Sequence, residues 1–165
     1  MYNILMNDIP LEYVVGDVLR EKNLKLAVAE SCTGGLIGHL LTNVPGASDY
    51  YIGGIVSYAN DVKIHVLGVS PVTIENHGAV SGETVLEMAR GVRHILKADI
   101  GLSVSGIAGP GGGTPEKPVG TVWIGLNSEE AEQARCYVWG GDRIEIKEHA
   151  ARQALEIVVE YLTEG

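Results

Sequence analysis

The chain has 165 residues, 45% of them hydrophobic and 20% charged, enough to bury a core as one domain over residues 1–165. Its 12 basic and 21 acidic side chains leave a formal charge of −9, a field that repels phosphate backbones, so no duplex nucleic-acid partner is expected. No apolar run approaches the ~18 residues of a membrane span, no signal-peptide pattern opens the chain, and two cysteines are too few for a disulfide framework; we expect no membrane contact and a reducing cytoplasm.

Ile9 to Asn23 has the period of a helix, with Asp8 as cap, Pro10 in the first turn, and Leu11, Val14, Val15, Val18 and Leu19 on one face. Leu24 to Glu30 is a short apolar strand that runs straight into Ser31-Cys32-Thr33-Gly34-Gly35. A second helix follows to about Val44, and Tyr50 to Tyr58 is a strand that Gly53-Gly54 should break. Asn60 is expected to cap a short helix containing Lys63, and Pro71 to His77 adds a helical turn. Ser81 opens a longer helix in which Val85, Met88, Ala89, Val92, Ile95 and Leu96 keep helical spacing. Ala98 to Ser105 carries no charge after Asp99 and predicts a strand buried on both faces.

Gly106 to Pro118 holds five glycines and three prolines and is predicted to be a loop. Val119 to Leu126 and Arg135 to Trp139 are strands joined through the polar stretch Asn127 to Ala134, as in a hairpin. Gly140-Gly141-Asp142 leads into a last helix with Ala150, Ala154, Ile157, Val158, Tyr161 and Leu162 inward. Strands separated by helices demand right-handed parallel crossovers, whereas the last pair demands an antiparallel neighbour. The expected fold is therefore α/β, a three-layer α/β/α sandwich around a mixed, mostly parallel five-stranded sheet.

Glycine-marked junctions that follow strands should line one crevice, because ligands of open α/β sheets collect beyond the carboxyl ends of the strands. In the first, Ser31 and Thr33 either cap the following helix or sit among free N–H groups able to hold an anion or an oxyanion. The second, from Ser105 through Gly106, Gly109, Gly111, Gly112 and Gly113, is either a flexible surface loop or a place where backbone amides approach a phosphate or sugar. Its spacing fails the G-x-G-x-x-G fingerprint, and no Walker loop occurs anywhere in the chain. The segment Tyr58 to Lys63 places a lysine in a first helical turn, where burial and the helix field would lower its pKa toward that of a general base. A Ser nucleophile with a Lys base and a Tyr hydroxyl is an acyl-transfer arrangement; a solvated lysine and a core tyrosine are the plainer alternative. Arg143 either clamps a phosphate or forms a surface ion pair, with Asp142 as a cap. Cys32 is a rival nucleophile or a small buried residue, and Glu30 an acid, a base or a structural carboxylate. The five histidines show no metal spacing, so neither metal nor cofactor is expected.

Six segments in order carry a family resemblance: Ala29 to Gly35, Val56 to Lys63, His77 to Ser81, Ser103 to Pro110, Lys117 to Val122, and Gly141-Asp142-Arg143. Together, over about Leu11 to Leu162, they resemble the CinA C-terminal domain family in its stand-alone form. The family's enzymatic members are nicotinamide mononucleotide amidohydrolases with an α/β/α fold. The resemblance implies hydrolysis of the carboxamide of nicotinamide mononucleotide to nicotinic acid mononucleotide and ammonia, in pyridine-nucleotide recycling. It implies Ser31 as nucleophile, Lys63 as base and Tyr58 as proton relay or positioning hydroxyl. Thr33, Gly34 and Gly35 would offer N–H groups to the oxyanion or substrate, and Ser105 to Gly113 with Arg143 would hold ribose and phosphate. The partner expected is thus a small-molecule nucleotide, and a homo-oligomer is left open. The rival hypothesis is a non-catalytic nucleotide-binding or protein-interaction module tied to competence and DNA damage.

Overall fold

Hydrophobic runs of two periods, alternating along the chain, build the molecule. The computed structural model describes residues 9–164. In chain order these form α1 (Leu11–Lys22), β1 (Leu26–Glu30), α2 (Leu36–Thr42), a 3₁₀ turn at Ala47–Asp49, β2 (Tyr51–Val56), α3 (Asn60–His65) and α4 (Pro71–His77). Then come α5 (Gly82–Leu96), β3 (Ile100–Gly106), β4 (Thr121–Asn127), β5 (Glu132–Val138) and α6 (Arg143–Thr163). The sheet order is β2-β1-β3-β4-β5. β1 runs parallel to both β2 and β3, while β4 is antiparallel to β3 and β5, so four strands point one way, β4 runs against them, and the sheet is mixed and mostly parallel.

All five residues of β1 are buried, as a central strand covered on both faces requires. One face packs on α1, α2 and α6, where Val15, Leu19, Ile37, Leu41, Ala150, Ala154 and Val158 meet Leu26, Val28, Leu102 and Val104. The other face packs on α5 through Val85, Met88 and Val92. Here the sheet presents small residues, and α5 comes down onto them with its backbone. A Cβ on Gly101 would stand 2.1 Å from the Ala89 carbonyl oxygen, and one on Gly125 would stand 2.6 Å from that of Val85. No side chain fits either position.

Local chemistry sets the ends. The Ser81 hydroxyl caps α5, accepting from Thr84 N at 3.2 Å. Asp142 caps α6 in a reciprocal box with Glu145, accepting from Ile144 N and Glu145 N at 2.9 Å while Glu145 accepts from Asp142 N at 2.7 Å.

Several expectations need correction. Pro10 precedes α1 as its N-cap, and the cap expected from Asp8 lies outside the described residues. Ala59, not Asn60, is the N-cap of α3. Gly53-Gly54 do not break β2; they pair with Ala27 and Val28 after a one-residue shift at Ile52. The hairpin turn is shorter than the polar stretch suggests, since Asn127 already pairs with Glu132 and Ser128 Oγ accepts from Glu130 N and Ala131 N. Polar residues fit there because β5 is an edge strand with one open face. Ile95 keeps helical spacing but is exposed.

Candidate active site

Three strand ends converge at the carboxyl side of the sheet. Ser31 N donates to Val104 O at 3.0 Å and Ser57 N to Glu30 O at 2.7 Å, so the residues just past β1 and β2 stand beside the end of β3. This is where an open α/β sheet offers a crevice.

From α3, Lys63 reaches into this junction. It is 1% exposed, and its Nζ lies 2.9 Å from Ser31 Oγ, 2.6 Å from the Ser57 carbonyl oxygen and 3.3 Å from that of Tyr58. Among the described residues no carboxylate pairs with it. Burial therefore disfavours the ammonium and lowers its pKa from 10.5 to about 8. A neutral amine in this position has two N–H bonds for the two carbonyls and a lone pair left for the Ser31 hydroxyl proton. The solvated-lysine alternative is removed.

Most of the turn that carries Ser31 is hydrogen-bonded within the protein. Gly34 N donates to Ser31 O at 3.1 Å and Leu36 N to Thr33 O at 3.2 Å. The buried Glu30 carboxylate accepts from Thr33 Oγ1 at 2.6 Å, Gly35 N at 3.0 Å, Ile37 N at 3.1 Å and Gly38 N at 2.9 Å. The amides of Gly34 and Gly35 are consequently spent inside the protein, which corrects the expectation that they face substrate. Neither Ser31 nor Thr33 caps α2, which has no side-chain cap. Among the described residues, the N–H of Thr33 donates to no backbone or side-chain acceptor, and that of Cys32 to none beyond its own sulfur. They are the donors left for an oxyanion beside Ser31.

Cys32 is packed into the apolar core, and burial pushes its thiol up to about 12. Almost no thiolate exists at neutral pH, so the rival nucleophile is disarmed.

A second cluster forms the rim. Arg143 donates through Nη1 to Gly109 O at 2.6 Å and through Nη2 to the Tyr58 hydroxyl at 2.8 Å. It ties together the start of α6, the turn after β2 and the glycine loop, and makes no ion pair among the described residues. The Tyr58 side chain is 60% exposed and turned to Arg143. What Tyr58 brings to the lysine is its carbonyl, so the hydroxyl expected at the dyad lies elsewhere.

The glycine loop is held by its own bonds. Ile107 N donates to Thr121 O, Gly120 N to Ile107 O and Thr114 N to Lys117 O, while Lys117 Nζ reaches His77 O at 2.8 Å. Gly106 closes β3, Gly109 adopts φ +81° beside Arg143, and Gly111, Gly112 and Gly113 are exposed. The Ser105 hydroxyl is buried and donates to Ala79 O at 2.7 Å, so it fastens the loop before α5 instead of facing the crevice. Sequence reasoning missed Ser57, whose contribution is a carbonyl oxygen and so has no side-chain signature. Among the described residues no group of three or more His, Cys, Asp or Glu is placed to hold a metal ion, and no helix is long and apolar enough to cross a membrane.

The CinA C-terminal domain family matches residues 8–162. The CinA-like protein of Thermotoga maritima is 52% identical over 157 residues, covering 95% of this chain and 38% of that protein. A putative competence-damage inducible protein of Moorella thermoacetica is 47% identical over 152 residues, covering 92% and 37%. The chain thus spans less than two-fifths of the length of these relatives. Among solved structures, a competence-damaged protein (CinA) superfamily member from Klebsiella pneumoniae superposes with TM-score 0.91 at 33% identity, covering 94% of this chain and 97% of that one. A competence/damage inducible protein from Agrobacterium tumefaciens gives 0.88 at 38% identity, covering 90% and 92%. With near-complete coverage in both sequence and fold, the chain belongs to the CinA C-terminal domain family.

Proposed function

We propose that this protein is an amidohydrolase that converts nicotinamide mononucleotide to nicotinic acid mononucleotide and ammonia. The observation that carries the reading is the buried lysine amine 2.9 Å from the Ser31 hydroxyl, with no carboxylate among the described residues to hold it charged. In this reading Lys63 takes the Ser31 proton as Oγ attacks the carboxamide carbon. The tetrahedral oxyanion is received by the Cys32 and Thr33 amides. Lys63 then returns the proton to the departing ammonia, and water attacks the ester by the same route. The nucleotide specificity follows the family resemblance, and Arg143 at the rim is the cation suited to its phosphate.

Purified protein in the presence of a chelator is expected to release ammonia from nicotinamide mononucleotide. Binding without release would identify a nucleotide-binding module instead. Activity lost with EDTA and restored by a divalent ion would sink the Ser–Lys chemistry.

Arg143→Ala tests the rim. It should raise KM for the mononucleotide by about tenfold more than for nicotinamide riboside, the size of a lost charge-assisted hydrogen bond. Any change shared by both substrates reports the lost ties to Tyr58 and Gly109. Equal effects on the two place the phosphate away from Arg143.

A further inference from the structure

The Glu30 carboxylate is enclosed by the turn that carries Ser31. It is 2% exposed. One oxygen accepts from Thr33 Oγ1, Gly35 N and Ile37 N, and the other from Gly38 N. With four donors aimed at it, this group neither faces the crevice nor has room to trade a proton with a substrate. The Tyr51 hydroxyl fills the notch beside it, where a Cβ on either Gly38 or Gly54 would come within 2.7 Å of that oxygen. Its main chain is equally engaged. Glu30 O accepts from Ser57 N at 2.7 Å, and Ser57 O in turn accepts from Lys63 at 2.6 Å.

Two consequences meet in the residue that follows. The side chain gathers the amides of Gly35, Ile37 and Gly38, folding the Ser31 turn back on itself and leaving Cys32 N and Thr33 N without a partner in the turn. The carbonyl sets the strand end whose own carbonyl grips the base. Ser31 is thus located on one side through the turn and on the other through Ser57 and Lys63.

We infer that Glu30 is a positioning residue of this centre, holding the Ser31 nucleophile and the Cys32 and Thr33 amides in attacking geometry without touching substrate. The inference rests on the amidase reading for its chemistry, but its test does not need turnover alone. A misplacement of about 1 Å at a reacting group costs on the order of 10²-fold in rate. Glu30→Gln keeps the shape but turns an NH₂ toward the donors, so one contact becomes a repulsion and the turn opens.

The experiment compares wild type, Glu30→Gln and Thr33→Val, each assayed well below its own melting temperature. The readouts are kcat and KM for ammonia release and the rate at which an aryl fluorophosphonate labels Ser31. Positioning predicts that Glu30→Gln lowers kcat and the labelling rate by about 10²-fold, with KM within about twofold. Thr33→Val, which loses only the hydroxyl bond to Glu30, should lower both less, by about 3- to 10-fold, and it decides the matter should Glu30→Gln not fold. A lower melting temperature with kcat and labelling unchanged would show Glu30 to be merely structural and overturn the inference. A wild type that labels but releases no ammonia would fail the amidase reading alone, since the labelling rates still test Glu30.

Discussion

Replacing Lys63 with methionine is expected to lower ammonia release by about 10³-fold or more, because the proton of the attacking hydroxyl then has no acceptor. The same variant has a signature in stability that only a buried, depressed lysine produces. The folded pKa is about 8 and the ordinary value 10.5. Below pH 8 both states are protonated, and the folded protein carries the full cost of a buried ammonium. Between pH 8 and 10.5 the unfolded chain binds more protons than the folded one, so wild-type stability rises with pH. Above that window the contribution is constant. At 1.36 kcal/mol per unit the gain is about 3 kcal/mol. Lys63→Met abolishes this slope, so denaturant melts of the two proteins across the window should diverge by about that amount. Taking the difference between proteins cancels the titration of the remaining lysines and tyrosines. Wild-type kcat/KM should also rise through pH 8 and level off as the amine becomes neutral. Parallel stability curves for the two proteins would mean that Lys63 is not held neutral by burial.

Ser31→Ala should be as damaging to turnover, by about 10³-fold or more, yet nearly silent in stability. The hydroxyl caps no helix, and it meets the lysine amine. Cys32→Ala should show the reverse pattern. Its thiol fills a place in the core, so the variant loses about 1 kcal/mol of stability while keeping turnover to within about threefold. Paired melting and ammonia-release measurements separate the two. A dead Cys32→Ala beside an active Ser31→Ala would exchange the nucleophile.

The central strands and the long helices were legible because burial leaves a simple trace. Val28, Leu102 and Val104 sit in uncharged runs, and Val85, Met88 and Val92 recur at helical spacing. The serine and lysine were legible as a chemical pair, since few other residue types can perform acyl transfer without a metal. Backbone partners were not. Nothing in the residue names says that Glu30 collects the amides of Gly35 and Gly38, or that Lys63 rests on the carbonyls of Ser57 and Tyr58. Gly53 and Gly54 looked like a break because glycine is a poor strand former. The pairing with β1 overrides that preference, and the Tyr51 hydroxyl needs the space a Cβ on Gly54 would take. Tyr58 was misdirected for a related reason. It lies just beyond the end of β2, where strand alternation no longer dictates which way a side chain turns.

The grip of Arg143 on Tyr58 and Gly109 has a thermodynamic consequence for whatever anion approaches it. A free arginine gives up about 2 kcal/mol of rotamer entropy when it is immobilised. Here the guanidinium is already fixed at both ends by the fold, so that loss is incurred during folding and not at encounter. An arriving anion meets a planar donor of set orientation and needs only to displace hydrating water from the N–H bonds that remain. Preorganisation of this kind would let a cation on a protein whose net charge is −9 discriminate by direction where the overall field opposes capture.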